Sequence, residues 1–260
     1  MTLLEKLSFF LYRRLSAAGV IRVRLSNEPD WAIWLRDKYQ VASFQDVFLD
    51  PNYWRAFQIF DEDPKLVVDC GAHCGHFAIL LDICLRARFG VSRTEYILIE
   101  PNEALHRALE LNIASANMRD RVTLLTGLVG RKDGRAMFAT NAKNFLVSHI
   151  GDGGGRGKMI EYLDLAELTA GRPIDLLKLD IEGAEFEFAE ANQDVLSVTR
   201  NAVVEVHHQA GTFEEFARAL ERSGLFQSGP ILTGRDNEMT WFQQRRTTED
   251  DQPVLAEARI

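Results

Sequence analysis

Cysteine is scarce in this chain: 3 residues in 260, Cys70, Cys74 and Cys84. Any pairing leaves one thiol over, so a disulfide framework is excluded and a reduced, cytoplasmic setting is expected. Long apolar runs are missing as well. The N-terminal run Leu7 to Tyr12 stops at Arg13 and Arg14, too short to span a membrane, and no signal-cleavage pattern follows it. Basic charge is not in excess either: 30 Lys and Arg stand against 38 Asp and Glu, a net charge of −8. Broad nucleic-acid binding needs a basic face that displaces counterions, so no nucleic-acid partner is expected, although a local basic patch stays open.

The length of 260 residues suits one α/β domain with an added N-terminal segment, or two small domains. Leu3, Leu4, Leu7, Phe10, Leu11, Leu15 and Ala18 recur at helical spacing, which predicts an amphipathic helix over 3–18. Packing on the main domain is the ordinary fate of such a helix; binding to a membrane surface is the alternative. Ile21 to Leu25 alternates like a strand, and Trp31 to Leu35 is an apolar cluster. Tyr39, Phe44, Phe48, Tyr53 and Trp54 crowd the next stretch and suit a packing layer or a substrate lid. Residues 1–60 therefore read as an N-terminal helical and irregular extension, 61–246 as the main domain and 247–260 as a polar tail.

From Leu66 the pattern alternates strand and helix. Strands are predicted at 66–70, 96–100, 121–125, 174–180 and 202–207, with helices at 75–88, 103–116, 182–196 and 212–223. Thr212 with Glu215 forms a capping-box signal. Pro230 to Thr233 and Met239 to Gln244 read as a closing strand pair, and Asn141 to Lys158 as irregular. That glycine-rich stretch is not a phosphate loop, because Asp152 and Met159 occupy positions that need Gly and Ser or Thr. The whole is an α/β, Rossmann-like arrangement, which binds ligands at the carboxyl ends of its strands. Asp69, Glu100, Asp180 and His207 all fall at such ends.

The turn Asp69-Cys-Gly-Ala-His-Cys-Gly75 puts a carboxylate where a dinucleotide-binding turn has its first glycine. A carboxylate repels a pyrophosphate and attracts a cationic amino-acid end, which favours S-adenosylmethionine over NAD. Glu100, at the end of the next strand, suits the hydroxyls of a ribose.

Val68-Asp-Cys-Gly-Ala-His-Cys-Gly75, Ile99-Glu-Pro-Asn102, Leu163-Asp164, Ile174-Asp-Leu-Leu-Lys-Leu-Asp-Ile-Glu-Gly-Ala-Glu185 and Glu205-Val-His207 together resemble the FkbM-type family of S-adenosylmethionine-dependent methyltransferases, over roughly residues 40 to 245. The resemblance implies a class I fold with a seven-stranded, mostly parallel sheet and helices on both faces. It also implies methyl transfer to a hydroxyl of a sugar, polyketide or related small molecule. Carried onto this chain, it assigns Asp69, Gly71, Ala72, His73, Gly75 and Phe77 to the methionine part of the cofactor. Glu100 goes to the ribose, and Pro101, Asn102, Gly127 and Leu128 to the adenine side. His73 replaces a common Asn, which suggests a pH-sensitive contact.

A hydroxyl is a poor nucleophile, so a positioned base is expected among Asp180, Glu182, Glu205 and His207. His207 is favoured for its ordinary pKa, while Glu182 could serve only to stabilise a helix start. No metal is expected. Asp180, Glu205 and His207 could take a divalent cation, but no tight ligand motif supports one, and Cys70 and Cys74 lack a second cysteine pair for zinc. The rival functions are a nucleotide- or dinucleotide-binding enzyme and a non-catalytic cofactor-binding module. Acceptor identity and oligomeric state are not legible in the sequence.

Overall fold

A computed structural model describes residues 10, 19–25, 32–49, 53–54, 57–139, 149–150, 157–207, 211–233 and 237–245. The predicted helix over 3–18, apart from Phe10, residues 141–148 and 151–156 of the irregular stretch and the tail 247–260 lie outside the described residues. Strands β1 (Ile21–Arg24) and β2 (Ala32–Leu35) form an antiparallel pair. Helix α1 (Lys38–Phe48) follows, started by Asp37, whose carboxylate accepts from the N–H groups of Tyr39 and Gln40. The main domain then runs β3 (Leu66–Cys70), α2 (His76–Phe89), β4 (Glu95–Ile99), α3 (Glu103–Ser115), β5 (Val122–Leu125), β6 (Arg135–Ala139), β7 (His149–Ile150), β8 (Gly157–Glu161), α4 (Leu165–Thr169) and β9 (Leu176–Leu179). It ends with α5 (Glu185–Ala191), α6 (Gln193–Ser197), β10 (Asn201–His207), α7 (Phe213–Glu221), β11 (Leu225–Gln227), β12 (Leu232–Thr233) and β13 (Asn237–Gln244).

The main sheet has the order β11-β13-β10-β9-β3-β4-β5, with the short β12 pairing β13 outside that path. Pairings from β10 across to β5 are parallel, and β13 runs antiparallel to its neighbours. The parallel strands are continuous apolar runs because both faces are covered. On one face Val67, Leu98, Leu176 and Val203 pack with Phe77, Leu81, Leu109 and Ile113 of α2 and α3. The same cluster takes in Ile33 and Leu35 of β2 and Val41 and Phe44 of α1, so the N-terminal extension shares the core of the main domain. On the other face Val68, Cys70, Leu177 and Val204 meet Phe188, Leu196 and Phe216 from α5, α6 and α7. The buried Asp82 of α2 binds Arg86 and Arg121, each at 2.8 Å, and fastens that helix to the turn before β5.

The chain departs from its sequence pattern in several places, among them the unpredicted helices α1 and α4. The helix predicted over 182–196 is two helices. Glu182 and Gly183 make a left-handed turn (φ +54° and +102°), so helix begins only at Glu185. The helix then breaks at Asn192, whose side-chain amide donates to the Gly130 carbonyl at 2.7 Å. The irregular stretch 141–158 contributes β7 and the start of β8, which pair with β6 in a separate antiparallel sheet. The strand β11 was not signalled at all; it lies beyond β13 at the sheet edge. The capping box at Thr212 and the β12–β13 pair form as the sequence predicts. Among the described residues no helix is long and apolar enough to cross a membrane.

Candidate active site

Strand order reverses between β3 and β9, and in an open α/β sheet the crevice forms where it does. Gly71 and Asp180 meet at this point. A Cβ on Gly71, whose φ is +82°, would lie 1.8 Å from the Asp180 carbonyl oxygen, so only glycine closes the approach. Gly75, also left-handed at φ +78°, caps α2. The turn is fixed from β4: the Ile99 carbonyl accepts from the N–H groups of Gly71 and Ala72, each at 3.0 Å.

Asp69 is fully buried, and neither carboxylate oxygen has a hydrogen-bond partner among the described residues. Burial raises its pKa, and the Lys178 ammonium, 3.4 Å from Oδ1, opposes the rise. Glu100 is 6% exposed. It accepts from the His73 N–H on Oε2 and the Asn102 N–H on Oε1, both at 2.8 Å. Burial pushes its pKa up to about 7 even though those two N–H groups favour the charge. Asn102 starts α3 by accepting from the Ala104 N–H, and its buried amide nitrogen has no partner. His73 does not behave as the sequence suggests: burial lowers its pKa to about 4, so the imidazole is neutral at physiological pH and no pH-sensitive contact arises near neutrality. His76 beside it is lowered to about 3, with Ser43 Oγ of α1 3.0 Å from its Nδ1.

The chemically richer end lies on β9 and β10. In register Asp69 pairs with Lys178, and Lys178 with Val203. Two residues further along the strands, this row places Glu205 beside Asp180. Lys178 Nζ donates to Asp180 Oδ2 and to the Gly71 carbonyl, both at 3.1 Å. Burial opposes its charge, but Asp180 and Asp69 outweigh that effect and raise its pKa. Glu205 is raised chiefly by Asp180 and then by burial, and the Asn237 amide donates to its Oε1.

His207 is not the unengaged base that its position suggested. Its Nδ1 lies 3.0 Å from Oε1 of Glu185, a fully buried carboxylate, and its Nε2 lies 3.3 Å from Glu182 Oε2. Burial opposes the imidazolium, but Glu185 and Glu182 more than offset it and raise the pKa. The left-handed turn at Glu182 brings that carboxylate to the ring; its own pKa rises to about 7 through burial and Asp180.

Two participants escaped the sequence reading. Glu185 stood in the quoted motif without a role, and its place in that motif was the available signal; the structure makes it the first residue of α5, with Oε1 also accepting from the Ile181 and Gly183 N–H groups. Tyr53, read only as one of several aromatics, is buried against Phe77, and its electrostatic neighbours are Lys178, Asp180, Glu205 and Asp69.

The sequence profile of the Methyltransferase FkbM domain matches residues 69–228, more than half of the chain. The chain belongs to the FkbM methyltransferase family. No curated protein matches its sequence. Among solved structures, it is similar to magnesium protoporphyrin IX methyltransferase from Synechocystis PCC 6803 at 13% identity and TM-score 0.49, covering 91% of each chain. It is also similar to precorrin-6y C5,15-methyltransferase from Geobacter metallireducens GS-15 at 12% identity and TM-score 0.44, covering 75% of this chain and 87% of that one.

The cofactor that goes with FkbM membership is S-adenosylmethionine, and the residues present fit it. Asp69 keeps Oδ2, free of any partner among the described residues, for a cationic amino-acid end, while Lys178 lies 3.4 Å from its Oδ1. Glu100, with two backbone N–H groups already bound, keeps lone pairs for ribose hydroxyls. The other residues assigned to the cofactor also have packing roles in the fold. Phe77 packs with Tyr53 and Phe57 in the core. Leu128 packs with Phe138, Ile160 and Tyr162 of the small sheet. Gly127 gives room to Leu163, whose side chain comes within 2.4 Å of where a Cβ would stand. Pro101 is half-buried beside Glu100.

Proposed function

We propose that this FkbM-family protein transfers the methyl group of S-adenosylmethionine to a hydroxyl oxygen of a small molecule of the sugar or polyketide class. The supporting observation is the order of groups across the sheet. Glu100 on β4 and Asp69 on β3 lie on the cofactor side, and Asp180, Glu182, Glu205 and His207 cluster past β9 on the acceptor side. S-adenosylmethionine supplies an electrophilic methyl group when bound. The chain's own residues hold the acceptor, keep water away and take its proton. The carboxylates of Asp180, Glu182 and Glu205 are the candidate proton acceptors, and His207, clasped by Glu182 and Glu185, keeps Glu182 in place. Tyr53, whose electrostatic neighbours include Asp180 and Glu205, flanks this side and suits an acceptor with both apolar faces and hydroxyl edges. A cluster this acidic disfavours a polyphosphate, which speaks for a small molecule over RNA. Free Cys70, Cys74 and Cys84 agree with a reducing, cytoplasmic setting.

The test is transfer of labelled methyl from S-adenosylmethionine to a panel of sugars, glycolipids and polyketide alcohols, with RNA and protein as separate arms, followed by mass spectrometry of the modified atom. Label on a hydroxyl oxygen supports the reading; label confined to nitrogen, carbon, RNA or protein overturns it. In calorimetry, Asp69→Ala and Glu100→Ala should weaken S-adenosylmethionine binding, whereas His207→Ala should leave binding intact and slow turnover.

A further inference from the structure

We propose that Asp180, Glu205 and His207 form a binding site for a divalent cation of the kind that accepts both carboxylate and imidazole ligands, Mn2+ or Zn2+. The proposal rests on the acceptor-side placement given above. The sequence offered no tight ligand motif here, because the ligands come from two strands and meet only through sheet register.

Each of the three residues brings a ligand atom to within 4.8 Å of the other two. A cation bound at about 2.1 Å holds its ligands no more than about 4.2 Å apart, so closure requires side-chain shifts of a few tenths of an ångström. The surroundings match those of a metal-binding histidine. Such a residue gives its second ring nitrogen to a carboxylate, which fixes the tautomer and leaves the other nitrogen for the metal. Here Glu185, with 0% exposure, holds His207 Nδ1 at 3.0 Å and is itself held by the Ile181 and Gly183 N–H groups. Nε2 is thereby aimed at Glu182, 3.3 Å away.

The carboxylates are supported in the same way. The Asn237 amide holds Oε1 of Glu205, which leaves Oε2, and Lys178 holds Oδ2 of Asp180, which leaves Oδ1. The donor set of one imidazole nitrogen and two carboxylate oxygens suits Mn2+ or Zn2+ better than an all-oxygen ion such as Mg2+.

The site would act on the acceptor. A hydroxyl oxygen resting on the cation becomes a stronger acid. Its O–H bond breaks with the proton passing to the Glu182 carboxylate, which the cation has freed from His207. The oxygen's electron pair forms the new bond to the methyl carbon, and the C–S pair stays on sulfur.

The test uses the full chain after chelator treatment, titrated with Mn2+ and followed by electron paramagnetic resonance. One Mn2+ per chain, displaced by Zn2+, is expected. Glu205→Gln and His207→Ala should abolish stoichiometric binding, and Glu185→Gln should weaken it about 10–100-fold. Calorimetry with S-adenosylmethionine on the same proteins reports folding and tests the methyltransferase reading separately. Cofactor binding without Mn2+ binding overturns the metal site alone; Mn2+ binding without cofactor binding overturns the methyltransferase reading alone. Should a variant not fold, the wild-type protein still decides: Mn2+ must broaden the His207 imidazole resonances. Millimolar Mn2+ that leaves them sharp, or stoichiometric binding that survives both substitutions, rules the site out.

Discussion

Glu100 accepts from ribose hydroxyls most strongly when ionised, and burial works against that charge. Its pKa moves from 4.5 in the open chain to about 7 in the fold. Because the folded value is the higher one, the contribution to stability is complete below pH 4.5 and is lost as pH rises through 7. In the cofactor-free protein this loss is worth roughly 3 kcal/mol. Cofactor affinity should follow the opposite course, weakening as pH falls below about 7 and the carboxylate takes up a proton. Calorimetry between pH 5 and 8 tests this, and Glu100→Gln should remove the dependence while weakening binding throughout. At Gly71 a single methyl group is the issue. Gly71→Ala sets a Cβ 1.8 Å from the Asp180 carbonyl oxygen at a left-handed φ, so the sheet must part at the crevice. Loss of measurable cofactor binding is expected, with a melting temperature well below that of the wild type.

Helix α7 and the β3–α2 unit were legible because their signals are local. Thr212 accepts from the Glu215 N–H while the Glu215 carboxylate binds the Thr212 N–H, a reciprocal pair spelled out in four consecutive residues. Thr212→Ala should cost about 1 kcal/mol in chemical denaturation and leave cofactor binding unchanged. The β9–α5 connection was misread for the complementary reason. Its apolar spacing continues through Phe186, Phe188 and Val195, whereas the left-handed turn at Glu182 and the break at Asn192 are set by distant partners, His207 on β10 and Gly130 in the β5–β6 connection. Periodicity cannot report such partners. The Asp82–Arg86–Arg121 group was equally invisible, since its members come from α2 and from the turn before β5. Asp82→Asn strips a buried partner from both guanidinium groups and should destabilise the protein by about 3–5 kcal/mol, measured by urea unfolding.

Across the whole molecule the parallel α/β arrangement, and the position of Asp69 and Glu100 at strand ends, followed from the alternation of strands and helices. The clasp around His207 did not, because it joins residues 22 positions apart through the register of β9 and β10. The extension is the other whole-molecule result. Phe44 of α1 stacks on Phe48 at 4.8 Å and meets His76 of the cofactor turn edge-on at 6.1 Å. Phe44→Ala should therefore cost about 3–5 kcal/mol of global stability in a single cooperative transition. A separately folding lid would instead give an unchanged main transition.

The extension's attachment to α3 also bears on how the protein is made. The Trp34 N–H donates to Asn112 Oδ1 at 2.8 Å, a partner 78 residues downstream. At about 5–20 residues per second of translation, the hairpin leaves the ribosome several seconds before its docking site exists. Ile33 and Leu35 thus lack that part of their docking surface until α3 emerges.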